Sequence, residues 1–215
     1  MGRVRVKICG ITQKKDLMTA VEAGADAVGF VVNVPASSRN LTLKKAKRLM
    51  EQVPIFVESV VVSVSSSLES LIELYEKLRP NVLQIHGEET PKATLLREKM
   101  PDTCLIRALS AKSDAVVENA AEISSSFDAI LVDSYVEGKL GGTGVLHDWE
   151  LTRLVRRAIA PKPLILAGGL TPENVRAAID VVQPYAVDVS GGVERYPGVK
   201  DPKKVLEFVK NAKGI

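Results

Sequence analysis

Leu164-Ile165-Leu166-Ala167-Gly168-Gly169 and Ala186-Val187-Asp188-Val189-Ser190-Gly191-Gly192 repeat one pattern, a short apolar run that stops at a glycine pair. Glycine lets backbone N–H groups approach a phosphate with no Cβ in the way. Leu170-Thr171-Pro172-Glu173 follows the first pair, and Thr171 with Pro172 behind it reads as a helix start, N-cap then N1. A helix start favours anions. Two such loops after the last two strands are where a (β/α)8 barrel holds a phosphate. An open doubly wound sheet places its Gly-rich turn after the first strand instead, so the late position favours the barrel.

Outward from these loops, short apolar runs alternate with amphipathic stretches. Strands are expected at Val4–Cys9, Ala27–Val32, Ile55–Val62, Val82–His86, Leu105–Ala108, Ala129–Asp133, Leu164–Ala167 and Ala186–Val189. Helical spacing links Leu68, Leu71, Ile72, Tyr75 and Leu78, then Leu151, Leu154, Val155 and Ala158. It recurs in Val175, Ala178, Ile179 and Val182, and in Val205, Phe208, Val209 and Ala212. Thr42 and Thr90 are placed to cap helix starts and Gly24 to end the first helix. The expected fold is α/β, a single (β/α)8 TIM barrel, as one domain over residues 1–215.

Composition narrows the function. Hydrophobic content of 46% and charged content of 26% suit a soluble globular chain. A net charge of +3 is mild, and aromatics at 4% leave little to stack on bases, so nucleic acid is not an expected partner. No apolar run approaches the roughly 20 residues needed to span a bilayer. Met1 to Lys7 alternates basic and apolar residues and lacks the apolar core of a signal peptide. Two cysteines make no disulfide framework. The expected location is the cytoplasm, as a monomer or a homodimer.

Strand alternation turns polar groups inward. If Val6 and Ile8 face the helices, Arg5, Lys7 and Cys9 face the barrel axis, as do Gln84, His86, Asp133 and Asp188 on their strands. Polar groups near the strand ends point to an active site at that face. Cys9 is either a small buried hydrophobe or a functional thiol, for which Lys7 can supply positive charge. Cys104 belongs to the opposite rim and reads as structural. Asp133 is either a turn cap or a desolvated proton donor. Arg39 is either a solvated cation or a planar clamp for a carboxylate. With only His86 and His147 as histidines, no metal site is expected, and His86 reads as a pocket hydrogen-bonder. The glycine run Gly138 to Gly144, with Gly142 at its centre, reads as a lid, a phosphate nest or a plain loop.

Several segments together resemble the phosphoribosylanthranilate isomerases of tryptophan biosynthesis. They are Lys7-Ile8-Cys9-Gly10-Ile11-Thr12, Gln84-Ile85-His86-Gly87, Gly141-Gly142-Thr143-Gly144, Leu166-Ala167-Gly168-Gly169-Leu170 and Asp188-Val189-Ser190-Gly191-Gly192-Val193-Glu194. The resemblance implies an aldose–ketose isomerase that converts N-(5-phosphoribosyl)anthranilate to 1-(2-carboxyphenylamino)-1-deoxyribulose 5-phosphate by an Amadori rearrangement. It implies Cys9 as general base, Asp133 as general acid and Arg39 facing the anthranilate carboxylate. Gly168, Gly169, Ser190, Gly191 and Gly192 would cradle the phosphate of the phosphosugar substrate, with His86, Gly142 and Asp188 as pocket residues. No cofactor is implied, because the nitrogen substituent is itself the electron sink. The chain departs from the family at Gly191, where a second serine is frequent, which puts only a side-chain contact in doubt. A metal-dependent epimerase, a histidine-pathway isomerase with paired aspartates and a catalytically dead phosphosugar-binding barrel are the alternatives.

Overall fold

The structure is a computed structural model that describes residues 4–87, 89–133 and 149–215. Gly142 and the glycine run around it lie outside the described residues. Eight parallel strands carry the fold: β1 (Arg5–Ile8), β2 (Ala27–Val32), β3 (Glu58–Val64), β4 (Val82–His86), β5 (Cys104–Ser110), β6 (Ala129–Asp133), β7 (Leu164–Ala167) and β8 (Ala186–Val189). Each pairs with the next, and β1 pairs with both β2 and β8, which closes the barrel. At the closing seam Lys7 stands opposite Asp188. A two-residue strand, Asn40–Leu41, adds to β2, and an antiparallel hairpin of Glu194–Tyr196 and Val199–Lys200 follows β8.

Alternation sorts the strand residues into two cores. Val60, Val62, Ile106, Leu131 and Ile165 fill the barrel. Their neighbours Val61, Leu105, Ile130, Val132 and Leu166 pack outward against the helices. Those helices are α1 (Lys14–Glu22), α2 (Leu43–Met50), α3 (Leu68–Leu78), α4 (Ala93–Lys99), α5 (Ala115–Ser124), α6 (Trp149–Ala158), α7 (Val175–Val182) and α8 (Pro202–Lys213). Aspartates just before two strands help set register at the N-terminal rim. Asp26 accepts from the Val6 amide at 2.8 Å, and Asp128 from the Leu105 amide at 2.7 Å.

Four local expectations change. The third strand starts at Glu58 rather than Ile55, because the chain turns through a left-handed Phe56 (φ +72°), leaving Ile55 and Phe56 in solvent. Helix α4 starts at Ala93 with Lys92 as its cap, so Thr90 and Pro91 stay outside it. Helix α7 starts at Val175, and Thr171 to Asn174 forms a turn ahead of it, so Pro172 is not at N1. Leu154 is exposed, because the buried face of α6 runs through Leu151, Thr152 and Val155.

Candidate active site

The C-terminal ends of the strands carry the polar residues expected there. Cys9 follows β1, is buried, and its amide donates to the Val189 carbonyl at 2.8 Å. Burial pushes its thiol up, Lys7 and Lys200 pull it down, and the net position stays above the ordinary value. Lys7, two residues back on the same strand face, is ion-paired to Asp188 at 3.0 Å. Lys7, Cys9 and Asp188 therefore all point inward, as alternation requires. Cys104 opens β5 at the opposite rim, where burial and then Asp128 push its thiol up to about 11.

Asp133 ends β6 at the same mouth as Cys9, with Ser110 and Ala167 as its register partners. It lines a cavity of about 550 Å³ together with His86 and Arg107. Burial, then the charges of Lys7 and Arg107, push His86 down to about 4, so it is a neutral imidazole near pH 7. Its Nε2 lies 2.6 Å from Gln84 Nε2, which suits a neutral ring accepting from the amide. Arg107 leaves β5 on the outer face, and its guanidinium donates to the Ile85 carbonyl at 3.1 Å and to that of Gly87 at 2.5 Å, pinning the end of β4.

The two glycine loops meet each other. Gly168 (φ +86°) and Gly169 (φ +61°) both take the left-handed backbone, and Asn174 fastens the loop by donating to the Gly169 carbonyl at 3.0 Å and accepting from the Thr171 amide at 2.8 Å. A Cβ on Gly192 would stand 1.9 Å from the Leu170 carbonyl oxygen, so only glycine lets the second loop lie against the first. Ser190 Oγ is buried without a hydrogen-bond partner among the described residues.

Arg39 reaches this group from the loop after β2. Its Nε and Nη2 form a two-pronged contact with Glu194, at 2.8 and 2.6 Å, and Lys200 joins the same carboxylate at 3.0 Å. Burial works against the charge on Glu194, but Arg39 and Lys200 outweigh it and hold its pKa below the usual carboxylate value. A Cβ on Gly191 would lie 3.4 Å from Arg39 Nη2, so Arg39 borders the second glycine loop. The expected carboxylate clamp thus holds a carboxylate of its own chain. Glu194, Lys200 and Arg107 were not legible as site residues, because their roles come from contacts between distant segments. Among the described residues no group of three His, Cys, Asp or Glu is placed to hold a metal ion. No described helix is long and apolar enough to cross a membrane.

The profile of the N-(5'phosphoribosyl)anthranilate (PRA) isomerase family matches residues 6–211, which include every candidate residue from Cys9 to Glu194. The chain belongs to this family. It is 44% identical over 210 residues to the N-(5'-phosphoribosyl)anthranilate isomerase of Methanothrix thermoacetophila, covering 97% of this chain and 98% of that one. The structure of mutually generated monomers of the dimeric phosphoribosylanthranilate isomerase from Thermotoga maritima superposes with a TM-score of 0.84 at 40% identity, covering 99% and 100% of the two chains. A phosphoribosyl anthranilate isomerase in complex with reduced 1-(o-carboxyphenylamino)-1-deoxyribulose 5-phosphate superposes with a TM-score of 0.83 at 41% identity, covering 99% and 100%. The closed barrel expected from the sequence is the fold of these PRA isomerases.

Proposed function

We propose that this chain carries out the reaction for which its family is named, the Amadori rearrangement of N-(5-phosphoribosyl)anthranilate in tryptophan biosynthesis. The observation that carries the reading is the placement of Cys9 and Asp133 at the ends of β1 and β6, on one mouth of one barrel. The phosphate lies at the paired loops of Gly168-Gly169 and Ser190-Gly191-Gly192, where the partnerless Ser190 Oγ gains an acceptor. Arg39, held flat by Glu194, faces the anthranilate carboxylate. Asp133 protonates the furanose ring oxygen and the ring opens to an iminium. Cys9 as thiolate then removes the C2′ proton, and the enolamine tautomerises to the ketone. His86 and Asp188 line the pocket. The cytoplasm suits this chemistry, because a reducing compartment keeps Cys9 a free thiol.

Cys9→Ala and Asp133→Asn are each expected to lower kcat by about 10²–10⁴-fold with the circular dichroism spectrum unchanged. The assay follows the fluorescence of the anthranilate-linked substrate. Near-parental turnover in either variant overturns that residue's role. A parent chain that binds the phosphosugar tightly without turning it over favours the binding-module reading instead.

We infer further that the chain assembles as a homodimer. It is supported by Ile55 and Phe56, 81% and 94% exposed at the N-terminal rim, beside a cavity of about 750 Å³ lined by Met50, Val53 and Pro54 among others. Adjacent large apolar side chains in water mark a protein-contact surface.

A further inference from the structure

Lys7 is out of keeping with its place. A barrel interior takes branched apolar residues, and an ammonium there is costly unless paired. Yet the Lys7 side chain is 4% exposed, with its Nζ 3.0 Å from Oδ1 of Asp188, itself 9% exposed. The two are register partners across the β1–β8 seam, so closure of the barrel makes the pair. Burial pulls the Lys7 ammonium down, and Asp188 together with Cys9 more than offsets this, so Lys7 stays charged. Gly29 on β2 shows what the ammonium lies beside. A Cβ at Gly29 would stand 2.7 Å from Cys9 Sγ and 3.1 Å from Lys7 Nζ. Sulfur and ammonium therefore lie against one position that only glycine leaves open, and any larger side chain there would push one of them away.

We propose that Lys7 is a positioning residue for the base: its ammonium, anchored by Asp188, faces the Cys9 sulfur over Gly29 and stabilises the thiolate that takes the C2′ proton. This rests on the isomerase reading above. The charged groups around Cys9 are Lys7 on its own strand, Asp188 from β8, Lys200 from the hairpin and Arg39 from the loop after β2, while His86 on β4 faces Lys7. Of the charges acting on the sulfur, Lys7 acts most strongly. Without it, burial and Asp188 act together to keep the proton on the thiol. The step balances as follows. The thiolate takes the proton from C2′ and becomes a thiol, the C2′–H electron pair forms the C1′=C2′ bond, and the iminium pair moves onto nitrogen. Lys7 keeps its proton throughout.

The test follows the Cys9 titration by NMR of ¹³Cβ-labelled cysteine in a Cys104→Ser background. Lys7→Met is expected to move that titration up by about one pH unit or more, which cuts the thiolate fraction about tenfold. At neutral pH kcat falls about tenfold or more while KM stays within about threefold, and the loss narrows as pH rises. A purely structural lysine would leave the thiol titration in place, and that result overturns the proposal. Lys7→Met strands the Asp188 carboxylate, so Lys7→Met/Asp188→Leu removes both charges together. Its Cys9 titration is also expected to rise, because Lys7 is the stronger of the two influences, and a parental value there overturns the proposal equally. A parent without turnover sinks the isomerase reading, and the titration still judges the Lys7–Cys9 pair. An active parent whose titration does not move sinks only this inference.

Discussion

His86 shows how one side chain joins the two halves of the site. It shares a cavity with Asp133 and feels the charge of Lys7 from the other direction. Burial lowers its pKa first, and the two cations add to that, so the folded value is about 4 against an ordinary 6.5. Between those values the unfolded chain binds a proton that the folded chain does not. Stability therefore falls as pH drops from 6.5 towards 4, and His86 has no influence on it above that window. His86→Gln is expected to flatten this part of the urea-denaturation stability plotted against pH. A curve that keeps its slope would assign the titration to another group. The inward direction of His86, Gln84, Asp133 and Asp188 was legible from strand alternation alone. The shift of His86 was not, since Lys7 is 79 residues away along the chain.

Among the elements, helix starts divide into those set locally and those set by packing. Thr42 caps α2 as its sequence indicates, with Oγ1 accepting from the Lys45 amide at 3.3 Å. Thr42→Ala is expected to cost about 1 kcal/mol and to lower Tm by about 2–4 °C, measured by thermal denaturation, with kcat unchanged. An unchanged Tm would show that packing of Ala46 and Leu49, not the cap, holds that end. Thr90-Pro91 and Thr171-Pro172 carry the same local signal and start no helix. At α4 the start is decided by docking of the buried Leu96. At α7 the Asn174 side chain takes the Thr171 amide and ties the segment back to Gly169, so this turn belongs to the glycine loop. The apolar run from Ile55 reads as strand for a similar reason, because hydrophobicity alone does not separate a buried strand from an exposed apolar tip.

That tip matters most for the assembled protein. Burying one phenylalanine side chain contributes about 1.5–3 kcal/mol, and a two-fold pairing buries it twice. Phe56→Ser is expected to shift the chain from dimer to monomer in sedimentation experiments. Turnover per chain should be retained, since Phe56 lies at the rim opposite Cys9 and Asp133. A parent chain that sediments as a monomer at micromolar concentration would remove the homodimer reading.

Local periodicity was enough to place the eight strands, the third of them begun three residues early, and the buried faces of α3, α7 and α8, to turn the polar side chains inward, and to put the glycine loops after the last two strands. Alternation and helical spacing act between near neighbours, so they can be read along a line. The partnerships inside the site depend on closing the sheet. Lys7 meets Asp188 across 181 residues and Arg39 meets Glu194 across 155. Gly29 and Gly192 are needed because other segments press against them, Cys9 and Lys7 in one case and the Leu170 carbonyl in the other. The Lys7–Asp188 pair exists only once β1 pairs with β8, the glycine contacts need neighbouring strands laid side by side, and no one-dimensional pattern records a distance between strands.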